Sequence, residues 1–191
     1  MSQIKNIVEA LLLSSGEPLS ADKIHKIITS KESCTKADIL EAIESLKIDY
    51  TEKEIEISRV ASGFRIQAKS SINDFLNIIY AEKTPRYSRA LMETLSIIAY
   101  KQPLTRQEVD DIRGVDSSGV VKTLLEKKVI GPAGRKKVPG RPIMYRTTQK
   151  FLEYFGLKDL SDLPTLEDLK EELEGDDPPL QSQIELSLIH I

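Results

Sequence analysis

The chain has one cysteine, two histidines and no tryptophan in its 191 residues. With Cys34 alone, an internal disulfide is impossible and a cysteine-rich zinc site is excluded. Neither His25 nor His190 has a nucleophile or carboxylate beside it in a recognisable motif, so no catalytic constellation emerges. Aromatic residues make up only 5%, which leaves Ile, Leu and Val to build any core, each contributing roughly 1.5–3 kcal/mol when fully buried. No apolar run approaches the ~20 residues that cross a bilayer. The opening MSQIKNIVEALLLSS lacks the basic region and cleavage site of a signal peptide. Gly134 and Gly140 fit neither a phosphate-binding loop nor a dinucleotide fingerprint. These gaps predict a cytoplasmic protein without membrane contact, cofactor, metal or catalytic site.

What is present is a strong helical period. Leu91, Leu95 and Ile98, with Met92 and Ala99, form one stripe over Ser88 to Tyr100, and Pro103 ends that helix near Lys101. Thr105 and Glu108 make a capping box for a second helix carrying Val109 and Ile112, stopped by Gly114. Asp116 or Ser117 opens a third, whose apolar face is Val120, Val121, Leu124 and Leu125. Strands follow over Lys128 to Lys136 and Ile143 to Thr147, around the turn-rich tip Val138-Pro139-Gly140-Arg141-Pro142.

The first half has the same order. Ile4, Ile7, Val8, Leu11 and Leu12 mark one helix, and Ser20 caps a second with Ile24, Ile27 and Ile28. Thr35 and Asp38 open a third, with Ile39, Ile43 and Leu46 inward. Ile55 to Ile57 and Phe64 to Ala68 alternate around Ser62-Gly63 as a hairpin does. Ile72, Phe75, Leu76 and Ile79 then form a helix, and Glu82 to Arg86 is a short connector. The fold class expected is mostly α with small β wings: two tandem winged helix-turn-helix domains over 1–82 and 87–164. An acidic tail fills 165–185, with Leu166, Leu169 and Leu173 on one side of a short helix and Glu174 to Pro179 without structure. The final Leu186-Ser187-Leu188-Ile189-His190-Ile191 matches a translated transposase end sequence. It is read as an assembly scar, with the natural C-terminus missing.

Charge is unevenly spread around a net of -3. Between Lys127 and Leu152 every charged residue is basic, whereas the chain beyond Glu153 is strongly acidic. Two classes of binding protein remain. A winged-helix DNA-binding transcription regulator would use the third helix on bases and the wing on phosphate. Here Ser117, Ser118, Lys122, Lys127 and Lys128 suit phosphate, but no Arg, Asn or Gln on that helix suits base edges. The corresponding helix of the first half carries Asp38, Glu41, Glu44 and Asp49, which phosphate repels. That leaves at most weak nonspecific DNA contact. A protein-binding module accounts for more: Arg141 can pair with an acidic partner, Tyr145 can anchor it, and the prolines limit the entropy lost on docking. Leu11, Leu12 and Leu13 exceed what one helix stripe needs and mark a candidate dimer face.

The wording of ETLSIIAYKQPLTRQEVDDIRGVDSSGVVKTLLEKKVI, GRKKVPGRPIMYRTT and FLEYFGLKDLSDLP resembles the ScpB family, segregation and condensation protein B, in order from Ile4 to Pro164. The resemblance implies a non-enzymatic homodimer that binds the kleisin ScpA. Through the kleisin it would meet the heads of an SMC ATPase, in a condensin-like complex for chromosome segregation on the bacterial nucleoid. Carried onto this chain, Ile4 to Tyr80 would form the dimer and Tyr87 to Phe155 would hold the kleisin contact. The candidate contact residues there are Arg135, Arg141, Tyr145 and Arg146.

Overall fold

The computed structural model describes residues 2–80 and 87–165. The connector from Glu82 to Arg86, the tail beyond Thr165 and the last six residues therefore lie outside the described residues. Within them the chain is mostly helical with small antiparallel sheets. It divides into two compact units, Met1–Thr84 with Phe155–Ile191, and Pro85–Tyr154.

The first unit begins with α1 (Ser2–Ser14), α2 (Ala21–Ile28) and α3 (Lys36–Asp49). Local chemistry sets these bounds. The Ser20 hydroxyl accepts from the Lys23 N–H at 3.1 Å, and Thr35 with Asp38 closes a complete capping box. Val8, Leu12, Ile24, Ile28, Ile39, Ile43 and Leu46 pack into one core with Tyr50, whose hydroxyl donates to Glu9 Oε1 at 2.6 Å. A hairpin of β1 (Ile55–Val60) and β2 (Gly63–Ala68) follows, with Ile57 opposite Ile66. Leu19 adds a one-residue strand: it exchanges two 2.9 Å backbone bonds with Phe64. A 3-10 turn over Ser70–Ile72 leads into α4 (Asn73–Tyr80).

The second unit contains α5 (Arg89–Lys101), β3 (Leu104–Thr105), α6 (Arg106–Arg113) and α7 (Ser118–Glu126). Next come β4 (Ile130–Arg135), β5 (Ile143–Thr147) and α8 (Gln149–Tyr154). Its sheet runs β3-β5-β4 with antiparallel neighbours. Leu91, Leu95, Ile98, Val109, Val121, Leu124, Ile130 and Phe151 are buried. Three expectations change. The strand expected from Lys128 begins only at Ile130, because Lys128 at φ +60 ends α7 in a Schellman turn: Val129 N–H donates to Leu124 O and Lys128 N–H to Leu125 O. Ile112, expected inward, is 42% exposed. Ser117 stands at the start of α7, yet its side chain bonds Asp110 rather than capping the helix.

Gly63 has φ +144, and a Cβ there would lie 2.2 Å from the Leu19 carbonyl oxygen. That backbone cannot retreat, since it is the Leu19–Phe64 bridge itself. Gly63→Ala should therefore destabilise the protein by ~2–3 kcal/mol. Gly140→Ala, at φ +81 with nothing within 4 Å, should cost only ~1 kcal/mol. Urea unfolding of the two variants checks the difference.

Candidate partner-binding face

The wing of the second unit is built from β4, β5 and the turn between them. Val138 O accepts from Arg141 N–H at 2.9 Å, with Pro139 and Gly140 (φ +81) at the two central positions. That is the chemistry of a type II turn, where proline fixes the first φ and glycine permits the second. Lys136 N–H donates to Pro142 O at 2.9 Å beneath it. Arg135 then folds back, its Nη1 donating to Arg141 O at 3.0 Å.

Register separates the four candidate residues. Arg135 lies opposite Ile143, Pro132 and Leu104 lie opposite Tyr145, and Gly131 lies opposite Arg146. Directly opposed residues share a face and successive ones alternate. One face of the wing therefore gathers Arg135, Ile143 and Tyr145, with Leu104 and Pro132 in the row of Tyr145. Arg141 stands at the tip of the same hairpin. Arg146 points the other way. Ile143 is 38% exposed, Tyr145 and Leu104 are half-buried and Pro132 is exposed. The face is thus apolar with a cationic rim. Leu104, Pro132 and Ile143 were missed as face residues. The alternation of Ile143 and Tyr145 carried that signal; a two-residue strand such as β3 carries none.

Three polar joints hold this face on its scaffold. Thr105 caps α6 and pairs Met144 in the sheet, and its N–H donates to Glu108 Oε2 at 2.8 Å. The other carboxylate oxygen of Glu108 accepts from Lys136 Nζ at 2.5 Å. The Lys136 ammonium, then the Thr105 N–H and hydroxyl, lower the Glu108 pKa from 4.5 to about 2. Gln102 Oε1 accepts from both Thr147 N–H (2.7 Å) and Thr147 Oγ1 (3.0 Å), fastening the end of β5. Asp110 Oδ1 accepts from the Ser117 N–H at 2.8 Å and from the Ser117 hydroxyl, and its Oδ2 accepts from Arg106. The Ser117 hydroxyl holds the Asp110 carboxyl below the ordinary range. Asp110 thereby fixes the turn between α6 and α7.

Other candidates fall elsewhere. Ser117 is fully buried, Lys127 lies 4.8 Å over the Tyr87 ring and Lys122 sits 3.9 Å from Glu126. Ser118 Oγ donates to Asp116 Oδ2, so four of the five groups considered for phosphate are engaged within the unit. Tyr100 is 41% exposed. His25 Nε2 is 3.2 Å from Cys34 O, and Cys34 packs against the first core. Leu12 leaves the candidate dimer face, because at 4% exposure its side chain belongs to that core. Leu13 is 59% exposed. Leu11 lines a shallow groove of about 610 Å³ with Gln3, Asn6, Ile7, Ala10 and Ser14. Among the described residues no cluster of His, Cys, Asp and Glu could hold a metal ion, and no helix is long and apolar enough to cross a membrane.

Comparison with known proteins gives a consistent picture. The family described as "Segregation and condensation complex subunit ScpB" matches residues 6–166. The chain is 39% identical over 172 residues to the segregation and condensation protein B homolog of Coxiella burnetii, covering 88% of this chain and 82% of that protein. It is 40% identical over 173 residues to segregation and condensation protein B of Clostridium tetani, covering 90% of each. With the Moorella thermoacetica protein of that name, identity is 39% over 174 residues, covering 90% of this chain and 87% of the other.

The folded pKa of Glu108 lies below its unfolded value, so its stabilisation is complete above pH 4.5 and is lost as pH falls toward 2. Because the pair is partly exposed, solvent screening reduces the effect to about 1 kcal/mol. Lys136→Met should remove most of that acid dependence. Thermal melts across this window, with and without the substitution, measure it.

Proposed function

The chain belongs to the segregation and condensation complex subunit ScpB family, and on that premise we propose that it is a non-enzymatic, homodimeric scaffold that binds the kleisin ScpA. Through the kleisin it meets the heads of the SMC ATPase, in the cytoplasm at the nucleoid. It makes and breaks no bond. Its binding favours one arrangement of the kleisin on the ATPase heads.

Repetition of order supports two tandem winged helices, over 1–82 and 87–164. Each half has a helix, a short strand ending in a hydroxyl that caps the next helix, a third helix and a hairpin. The short strands are Leu19, ahead of Ser20, and Leu104–Thr105. Each pairs with the second hairpin strand, Leu19 with Phe64 and Leu104 with Tyr145. In the first half, the outer face of α1, with Ile7, Ala10 and Leu11 and the exposed Leu13 nearby, is the surface for the second copy.

The observation that carries the kleisin reading is the face of Arg135, Ile143 and Tyr145 with Arg141 at its tip. An apolar row rimmed by arginine suits an amphipathic segment with acidic flanks. The turn and the Arg135–Arg141 bond hold this shape before any partner arrives, which lowers the ordering cost of docking. Arg146, on the opposite side, belongs to this contact only if the partner wraps the wing.

Arg141→Glu should weaken kleisin binding about 10-fold and leave the melting temperature unchanged. Tyr145→Ala should weaken it further. Calorimetric titration with the kleisin decides; unaltered affinity in both removes this face from the interface. Analytical ultracentrifugation should show a dimer that Leu13→Arg weakens.

A further inference from the structure

The helix α4 leaves three large apolar side chains in water: Phe75 is 68% exposed, Ile78 77% and Ile79 65%. A single exposed isoleucine is ordinary. Positions i, i+3 and i+4 of one short helix make a continuous face. None of the contacts that define the core of this unit uses it.

We propose that the stretch Leu166 to Leu173 of the same chain covers this face. Three observations support that occupant. First, size: three side chains expose a patch of a few hundred Å², well short of the ~800 Å² per partner that a stable dimer buries. A short apolar segment fits it; a second copy through this face alone does not. Second, pattern: Leu166, Leu169 and Leu173 recur at i, i+3 and i+7, while Glu167, Asp168, Glu171 and Glu172 fall toward the other side at helical spacing. Third, tethering: Leu157 O accepts from Ala61 N–H at 3.0 Å, so the chain rejoins the β1–β2 hairpin just before this stretch. That hairpin is about 20 Å long and ends at the turn into α4. The chain folds through a 3-10 turn at Leu160–Asp162, and the six residues from Leu163 to Leu169 span up to ~20 Å when extended, a reach equal to the length of the hairpin. A segment held this close competes at high effective concentration. The contact is apolar, so it should depend weakly on salt.

Hydrogen exchange of the full chain tests this. In the triple variant L166S/L169S/L173S, amides of 73–80 should exchange about 10-fold faster, while those of 91–99 stay unchanged. Reciprocally, Phe75→Ser should speed exchange of 166–173. The dimer measured by ultracentrifugation should persist in both variants. Equal exchange of 73–80 in the triple variant and the unaltered chain would overturn the proposal. So would protection of 73–80 that fades on dilution, which would assign the face to a second copy.

Discussion

One carboxylate holds the second unit in working shape. Glu108 binds the start of its own helix through Thr105 and the turn end of the wing through Lys136. Thr105 is itself a member of the sheet, opposite Met144. A helix start, a sheet edge and a hairpin thus meet at one side chain. Remove the ammonium and the wing keeps its backbone pairing to β3 and the Gln102–Thr147 bonds, but loses its side-chain tie to α6. Remove the hydroxyl and the side-chain cap goes, leaving the carboxylate to the Thr105 N–H and Lys136. The apolar face above can keep one geometry because this joint is rigid.

The two units use one order of elements for different ends. The first turns its hairpin at Ser62 and Gly63, pressed beneath Leu19. That tip lies against the Leu19 backbone, and Ala61 N–H beside it donates to Leu157 O. The second extends to Arg135, makes a proline-glycine turn and returns at Ile143. Its tip stands clear, and Lys137, Arg141 and Arg146 are exposed along it. Charge follows the same division. Acidic residues lie along α3, while between Lys127 and Leu152 the second unit has only basic ones.

Much of this was legible in the sequence, because the signals were local. Helix bounds followed from Ser20, Thr35, Thr105, Gly114 and Pro103, each acting within one turn of the chain. Both hairpins followed from alternation. The losses have physical reasons. Leu19 and Leu104–Thr105 are too short to show a period, and their pairing is set by residues some forty positions away. Lys128 ends α7 at a positive φ that nothing in a lysine announces. The role of Asp110 depends on Ser117 across a turn. For the candidate face, the residue types were readable but their grouping was not: adjacent letters, Tyr145 and Arg146, end up on opposite sides. In α1 the same limit applied, since three consecutive leucines cannot share one surface of a helix.

The opposed directions of Tyr145 and Arg146 make the wing a blade with two unlike sides. A chain lying along one side meets an aromatic ring and a branched aliphatic, and along the other it meets a guanidinium over a glycine floor. Selection can therefore retune either encounter alone, by changing odd-numbered or even-numbered positions of a single five-residue strand.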